Sequence, residues 1–354
     1  MPQSSTHGGD IYSNRIQLDF SVNINPVDIG DHIRSKMAQG ARAYALYPEA
    51  DNVQLREAIG KIEGLGRKQV LCGNGASELL AAVMHAFRPG RVLIPQPAFE
   101  GYTWAAQMVK AQLADYRLYR EDGFALTEKI LDVLTEELDM LILTNPSNPV
   151  GRLITPELLL RILERCRQRN ILVLLDECFI EFTRQKSACG LLSSFQNLII
   201  LRAFTKIYGM PGVRLGYLLA SETCCSQIAR QLPEWNLSVL AQEAGLAVLE
   251  DSTPGWNRLA FIEKTRHIIE EERENLKQEL INATHGDLTI YPSEANFLLL
   301  QTGIPLYDRL LGKGILIRDC SNYPGLGQGY YRIAVRGHGE NEKLLREIAK
   351  LYPE

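Results

Sequence analysis

Leu201–Gly216 reads L-R-A-F-T-K-I-Y-G-M-P-G-V-R-L-G. An apolar run, Leu198–Arg202, leads into Thr205 and Lys206, and Arg214 follows eight residues after the lysine. A charged lysine at the end of a buried strand is unfavourable. Burial and nearby positive charge lower its pKa and make it a better imine former. Arg214 can then meet a phosphate, with Thr205 supplying a hydroxyl. Taken alone, the stretch is equally compatible with a lysine that simply leaves a sheet edge.

Working outward, three further pieces follow the same logic. I-L-V-L-L-D-E, residues 171–177, ends a buried run on Asp176 and Glu177. Ligands of open α/β sheets sit at the carboxyl ends of strands. A carboxylate there can keep a pyridine nitrogen protonated, although metal ligation or helix capping would suit it too. N-P-S-N-P-V-G, residues 145–151, follows the run L-I-L-T. Two Asn-Pro steps and a glycine make a stiff turn that aims Asn148 at the same crevice. C-G-N-G-A-S-E, residues 72–78, sits between a strand and a helix. Gly75, Ala76 and Ser77 would place backbone N–H groups at a helix N-terminus, a phosphate site. It is neither G-x-G-x-x-G nor a P-loop.

The rest of the chain supplies a frame. Strand-like runs at Gln69–Cys72, Arg91–Pro95, Met140–Thr144, Ile171–Leu175, Leu198–Arg202 and Leu215–Ala220 are continuously apolar. That suits strands buried on both faces, and helical stretches such as Pro156–Arg169 separate them. The expected fold is α/β, a mainly parallel sheet covered by helices. Thr155-Pro156-Glu157 marks a helix start. After about residue 222 the pattern turns to long helices, Trp256–Asn282 being rich in Glu, Lys and Arg. The tail then alternates short strands (Leu288–Tyr291, Asn296–Leu300, Ile315–Arg318, Tyr331–Val335) with a last helix from about Glu340. This reads as a smaller α+β domain. Gln17–Ser21 is the clearest strand-like piece near the start. The expected division is an N-terminal segment, 1–40, packing with the small domain; a large domain, 41–225; and linking helices with the small domain, 226–354.

The 354 residues are 45% apolar and 23% charged, with net charge −4. No basic run suits a nucleic-acid backbone. No apolar run is long enough for a membrane helix, and Met1–Asp10 is polar, so a cytoplasmic location is expected. Seven cysteines without a C-x-x-C pair suggest neither a disulfide framework nor a zinc site, and no metal is expected.

The four pieces, in this order and spacing, resemble fold-type I pyridoxal-5'-phosphate (PLP) enzymes, the aspartate aminotransferase superfamily, over most of the chain. The resemblance implies PLP as cofactor and a sheet of the seven-stranded type sandwiched by helices. It implies that Lys206 is the lysine that carries the cofactor and that Asp176 partners the pyridine nitrogen. Asn148 would donate to the phenolic oxygen. Gly75, Ala76, Ser77, Thr205 and Arg214 would form the phosphate cup. Phe99, in P-Q-P-A-F-E-G-Y, would stack on the ring. Tyr47, in Y-P-E, would reach the other subunit's phosphate in a homodimer. Arg332, in Y-Y-R-I-A-V-R, would grip a substrate carboxylate. Two positions depart from the common pattern. Phe179 stands where many members have a tyrosine, and Ala203 where a serine or threonine often binds phosphate. The first loss bears on the proton affinity of the lysine–cofactor linkage and so on reaction type. The second removes one hydrogen bond, worth roughly 1 kcal/mol.

Within the superfamily, four segments resemble the threonine-phosphate decarboxylase branch of cobalamin synthesis, near the histidinol-phosphate aminotransferases. They are His7-Gly8-Gly9; D-F-S-V-N-I-N-P at 19–26, with Asn23 reaching substrate; D-E-C-F-I-E-F; and I-L-I-R-D-C-S-N-Y-P-G-L at 315–326. Arg318 and Arg336 would add positive charge, and His7, Gly8, Asn23, Asn148, Arg318 and Arg332 would contact a small phosphorylated amino acid. The expected reaction is decarboxylation of L-threonine O-3-phosphate. Phosphoserine decarboxylation, histidinol-phosphate-type aminotransfer and, less favoured, a non-enzymatic regulator on the same fold stay open.

Overall fold

A computed structural model describes residues 8–250 and 255–353. His7 lies outside the described residues. The chain enters through β1 (Leu18–Asp19), which pairs in parallel with β11 (Ile315–Leu316) far along the sequence. The apolar runs then form one seven-stranded sheet. Its strands are β2 (Val70–Asn74), β3 (Arg91–Leu93), β4 (Gln112–Ala114), β5 (Met140–Thr144), β6 (Leu172–Asp176), β7 (Leu198–Ala203) and β8 (Leu215–Leu219), in the spatial order β2-β8-β7-β6-β5-β3-β4. β8 runs antiparallel to both its neighbours, and the other pairs are parallel.

Both faces are buried, as the continuous apolar runs require. Alternate side chains enter different cores. Leu141, Leu143, Val173, Leu175 and Ile200 pack on one side. Met140, Ile142, Leu174, Ile199 and Leu201 pack on the other. β4 was not anticipated from the sequence. It is an edge strand of three residues, two of them exposed, and too short to stand out. The helix Pro156–Gln168 begins as expected, with the Thr155 hydroxyl accepting from Leu158 N at 3.3 Å.

The tail forms a second sheet, with β9 (Thr289–Ile290), β10 (Phe297–Gln301), β12 (Arg318–Asp319) and β13 (Tyr330–Ala334) in the order β12-β13-β10-β9, all antiparallel. Ile315–Arg318, read as one strand, is divided between two sheets: β11 joins β1, and β12 joins β13. The helix Arg258–Ala283 spans about 39 Å. It places Phe261, Ile262 and Ile269 in the core of the large sheet, and Leu276 and Leu280 in that of the small one. Phe20 enters the small core, whereas Ile33 of the helix Asp31–Gly40 enters the large one.

Glu177 turns away from Asp176 into a buried ionic cluster. Arg202 lies 3.6 Å from Glu63, 3.7 Å from Glu177 and 3.3 Å from Glu181, and Arg258 adds a 2.9 Å bond to Glu181. Burial pushes the Glu177 carboxyl up, and Arg202 opposes this. Removing one partner of a buried ion pair leaves uncompensated charge. Arg202→Ala is therefore expected to lower unfolding free energy by about 3–5 kcal/mol, read as a lower urea midpoint. An unchanged midpoint would show that the three carboxylates do not depend on it.

Candidate active site

The carboxyl ends of β2, β5, β6 and β7 meet at one edge of the large sheet, where the β5 and β6 ends pair as Thr144↔Asp176 and Asp176 faces Leu201 of β7. β8 enters from the same edge, because Asn74 pairs with Leu215. Gly75 and Arg214, the next residues outward, therefore lie side by side. Gly75 has φ +75° and caps the helix Ala76–Phe87. A Cβ there would come within 2.5 Å of Arg214 Nη2, so glycine keeps the guanidinium over the helix start. The first N–H groups of that helix have no intrahelical acceptor. With the helix dipole and Arg214 they make an anion cradle.

The cleft above this edge holds about 400 Å³. Ala76, Ser77, Phe99, Asn148, Asp176, Thr205, Lys206 and Arg214 line it, as do Gly8, Asn23, Arg318 and Arg332. Ala203 and Phe179, the two departures, line it too. Lys206 Nζ lies 5.6 Å from the Phe179 ring centroid. The Lys206 amine is pushed down to about 8, first by burial and then by the charge of Arg332. Arg214 adds to the effect, and Cys178 and Asp176 oppose it. The lysine loop is pinned by the N-terminal segment: Asn25 N donates to Lys206 O at 3.2 Å, and Asn25 Nδ2 to Ile207 O at 2.6 Å.

Arg318 and Arg332 are register partners across β12 and β13, so their side chains share a face. Both are buried. Arg332 Nη1 donates to Asn148 Oδ1 at 2.6 Å and Nη2 to Ser21 O at 2.7 Å. A guanidinium carries five N–H donors, so three remain without a partner among the described residues, Nε–H being one. The bond to Asn148 also turns that side chain's NH₂ end away from Arg332. Arg318 donates to Asn322 Oδ1 at 2.9 Å and lies over Tyr323. Asn23 is buried, and its Oδ1 has no partner among the described residues.

One expected residue falls elsewhere. Arg336 follows the end of β13, pairs with Glu340 at 3.1 Å and does not line the cleft. The strand stops at Ala334, two residues before Arg336, so Arg336 does not continue the β13 face that carries Arg332. Tyr47 is 81% exposed and packs on Trp235, outside the cleft of its own chain. Five lining residues went unread in the sequence: Ser21, Val22, Tyr102, Cys178 and Tyr323. Tyr102 follows Phe99 by three residues at a helix start, a spacing that could have drawn notice. Ser21 acts through its carbonyl, which no residue type advertises.

The residues present fit a phosphorylated pyridine aldehyde. A buried amine of lowered pKa, a buried carboxylate, an aromatic wall and an anion cradle converge on one cleft. Arg318 and Arg332 add two buried guanidiniums to the same cleft.

Comparison with known proteins agrees. Residues 15–351 match the aminotransferase class I and II family. The chain is 36% identical to threonine-phosphate decarboxylase of Salmonella typhimurium, over 98% of this chain and 96% of that protein. It is 30% identical to the adenosylcobalamin biosynthesis bifunctional protein CobDQ of Leptospira interrogans, over 95% of this chain and 39% of that protein. The crystal structure of histidinol-phosphate aminotransferase from Clostridium acetobutylicum superposes with a TM-score of 0.86 at 28% identity, covering 95% of this chain and 99% of that one. The chain thus belongs to the class I and II aminotransferase family, and its cofactor is pyridoxal 5'-phosphate.

Proposed function

We propose that this chain decarboxylates L-threonine O-3-phosphate to (R)-1-amino-2-propanol O-2-phosphate and CO2, as a step of cobalamin biosynthesis. The observation that carries the reading is the cross-strand pair Arg318 and Arg332, two buried guanidiniums on one face of the cleft. A substrate with both a carboxylate and a phosphate needs two cationic docking points. The 36% identical relative named for this reaction supports the same choice.

When bound, pyridoxal phosphate supplies an aldehyde and an electron-withdrawing ring. The chain's residues do the rest. Lys206, its amine pushed down to about 8, would carry the cofactor, and it or a water would later return a proton to Cα. Asp176 would face the ring nitrogen, Phe99 would stack on the ring and the Asn148 amide would meet its phenolic oxygen. Gly75, Ala76, Ser77, Thr205 and Arg214 would hold the cofactor phosphate. Arg332 would take the substrate carboxylate, and Arg318 with Gly8, Asn23 and His7 the substrate phosphate. Dividing two anions between two arginines fixes rotation about Cα. That orientation would decide which bond at Cα is broken when the cofactor is bound. In decarboxylation the carboxylate leaves as CO2, and one proton takes its place. We further propose a homodimer in which Tyr47 reaches the partner's cofactor phosphate, its exposure being consistent with this.

The test is one assay of holoenzyme with L-threonine O-3-phosphate, following CO2, amine product and 2-oxo acid together. CO2 is expected in step with aminopropanol phosphate. Phosphoserine, lacking one methyl, is expected to react about 10- to 200-fold less efficiently. Release of a 2-oxo acid without CO2 would sink the reading in favour of aminotransfer. Histidinol phosphate with 2-oxoglutarate would then be the substrate pair, as the histidinol-phosphate aminotransferase likeness suggests.

A further inference from the structure

We propose that Tyr102 is a positioning residue that sets both the nitrogen partner and the stacking partner of the cofactor ring, within a relay from Thr144 through Tyr102 to Asp176. Tyr102 is 2% exposed and lines the cleft below Phe99 and Asp176. Its hydroxyl donates to Asp176 Oδ2 at 2.6 Å and accepts from Thr144 Oγ1 at 3.0 Å. The other oxygen, Asp176 Oδ1, accepts from Cys178 N at 2.8 Å. Both carboxylate oxygens are thus held, one by a backbone N–H and one by a side chain. The Tyr102 ring meets Phe99 edge-on, with centroids 5.5 Å apart at 85°. Thr144, at the end of β5, is the register partner of Asp176, so the relay closes across adjacent strand ends.

The physical consequence is electronic as well as geometric. A donor on a carboxylate spreads its charge. Without the Tyr102 hydroxyl, Asp176 draws the proton it shares with the ring nitrogen more strongly. The ring then withdraws less from the lysine nitrogen, which keeps its own proton to higher pH. Thr144 polarises the Tyr102 hydroxyl and acts only through it.

The inference rests on the placement of Asp176 and Phe99 proposed above, and not on the substrate. The experiment therefore uses holoenzyme without substrate and titrates the visible absorbance of the lysine-bound cofactor with pH. In Tyr102→Phe, which keeps the ring against Phe99, the midpoint is expected to rise by about half to one pH unit, with PLP bound about 3- to 10-fold more weakly. Thr144→Val is expected to shift the midpoint in the same direction by less. The double variant should shift no further than Tyr102→Phe. Tyr102→Leu, which also removes the buttress, should weaken PLP binding more than Tyr102→Phe. An unmoved midpoint in Tyr102→Phe overturns the proposal, as does a Thr144→Val shift that adds fully to it. If Tyr102→Phe fails to fold, Thr144→Val decides alone: a rise supports the relay and no change overturns it. Asp176→Ala separates the two levels. If it too leaves the midpoint unmoved, the placement of Asp176 fails and the relay with it. If only the Tyr102 variants are silent, the relay alone fails.

Discussion

Lys206→Met is expected to reduce CO2 release at least about 1,000-fold, because on the proposed assignment one side chain would both carry the cofactor and serve the proton transfer at Cα. Borohydride, which fixes PLP to the wild-type protein, should fix none to this variant. Methionine keeps the bulk of the buried stem, so the apoprotein should fold. Its stability carries a second test. The amine sits near 8 in the folded chain against an ordinary 10.5, burial being the main cause. Between these values the unfolded chain binds more protons than the folded one. Stability of the wild-type apoprotein should therefore rise as pH increases from about 8 to about 10.5. Below 8 the full penalty is present, on the order of 3 kcal/mol. Lys206→Met should lack this rise and be the more stable apoprotein at pH 7. Urea midpoints of both apoproteins across pH 7–10.5 measure it. Parallel curves would show that Lys206 is not held at a lowered pKa.

Arg332→Ala is expected to lower kcat/KM by about 30-fold to several thousand-fold, the range for removing one member of a buried, hydrogen-bonded charge pair. The loss has two parts. On the proposed assignment the substrate carboxylate would lose its guanidinium, and Asn148 Oδ1 and Ser21 O lose the donor that ties the N-terminal segment to the turn after β5. Arg332→Lys keeps the charge but offers a point donor on a flexible stem. It should recover under a tenth of the activity, since a planar fork is what reaches Asn148, Ser21 and a carboxylate together. Loss of Arg332 also removes the second cause of the low Lys206 pKa, so the apoenzyme's pH-dependent capture of PLP should shift to higher pH. A kcat/KM within fivefold of wild type in Arg332→Ala would place the carboxylate site elsewhere.

Much of the fold and site was legible in the residues, for local reasons. Strands buried on both faces leave continuous apolar runs, and β2, β5, β6, β7 and β8 were found that way. Lys206, Asp176, Asn148 and the Gly75–Ser77 turn stand at the ends of those runs, so their convergence follows once the sheet is mainly parallel. Where burial was partial the pattern was silent, as with the edge strand β4, two of whose three residues are exposed.

Tertiary structure alone decided what depends on partners distant in sequence. The run Ile315–Arg318 shows no internal reason to divide between two sheets; β1, some three hundred residues earlier, takes one half and β13 the other. That division sets Arg318 opposite Arg332, and strand register is what makes the two guanidiniums a pair. Arg336 carries the same residue type four positions on, and a strand end turned it to Glu340 instead. Likewise the hydroxyl of Tyr102 on Asp176 and the carbonyl of Ser21 on Arg332 are contacts between groups that any sequence contains in quantity. By itself the sequence determined which chemistry gathers at the sheet edge, because burial and strand ends are local properties. Which donor meets which acceptor there was decided only by packing, because a hydrogen bond is specified by position to within a fraction of an ångström.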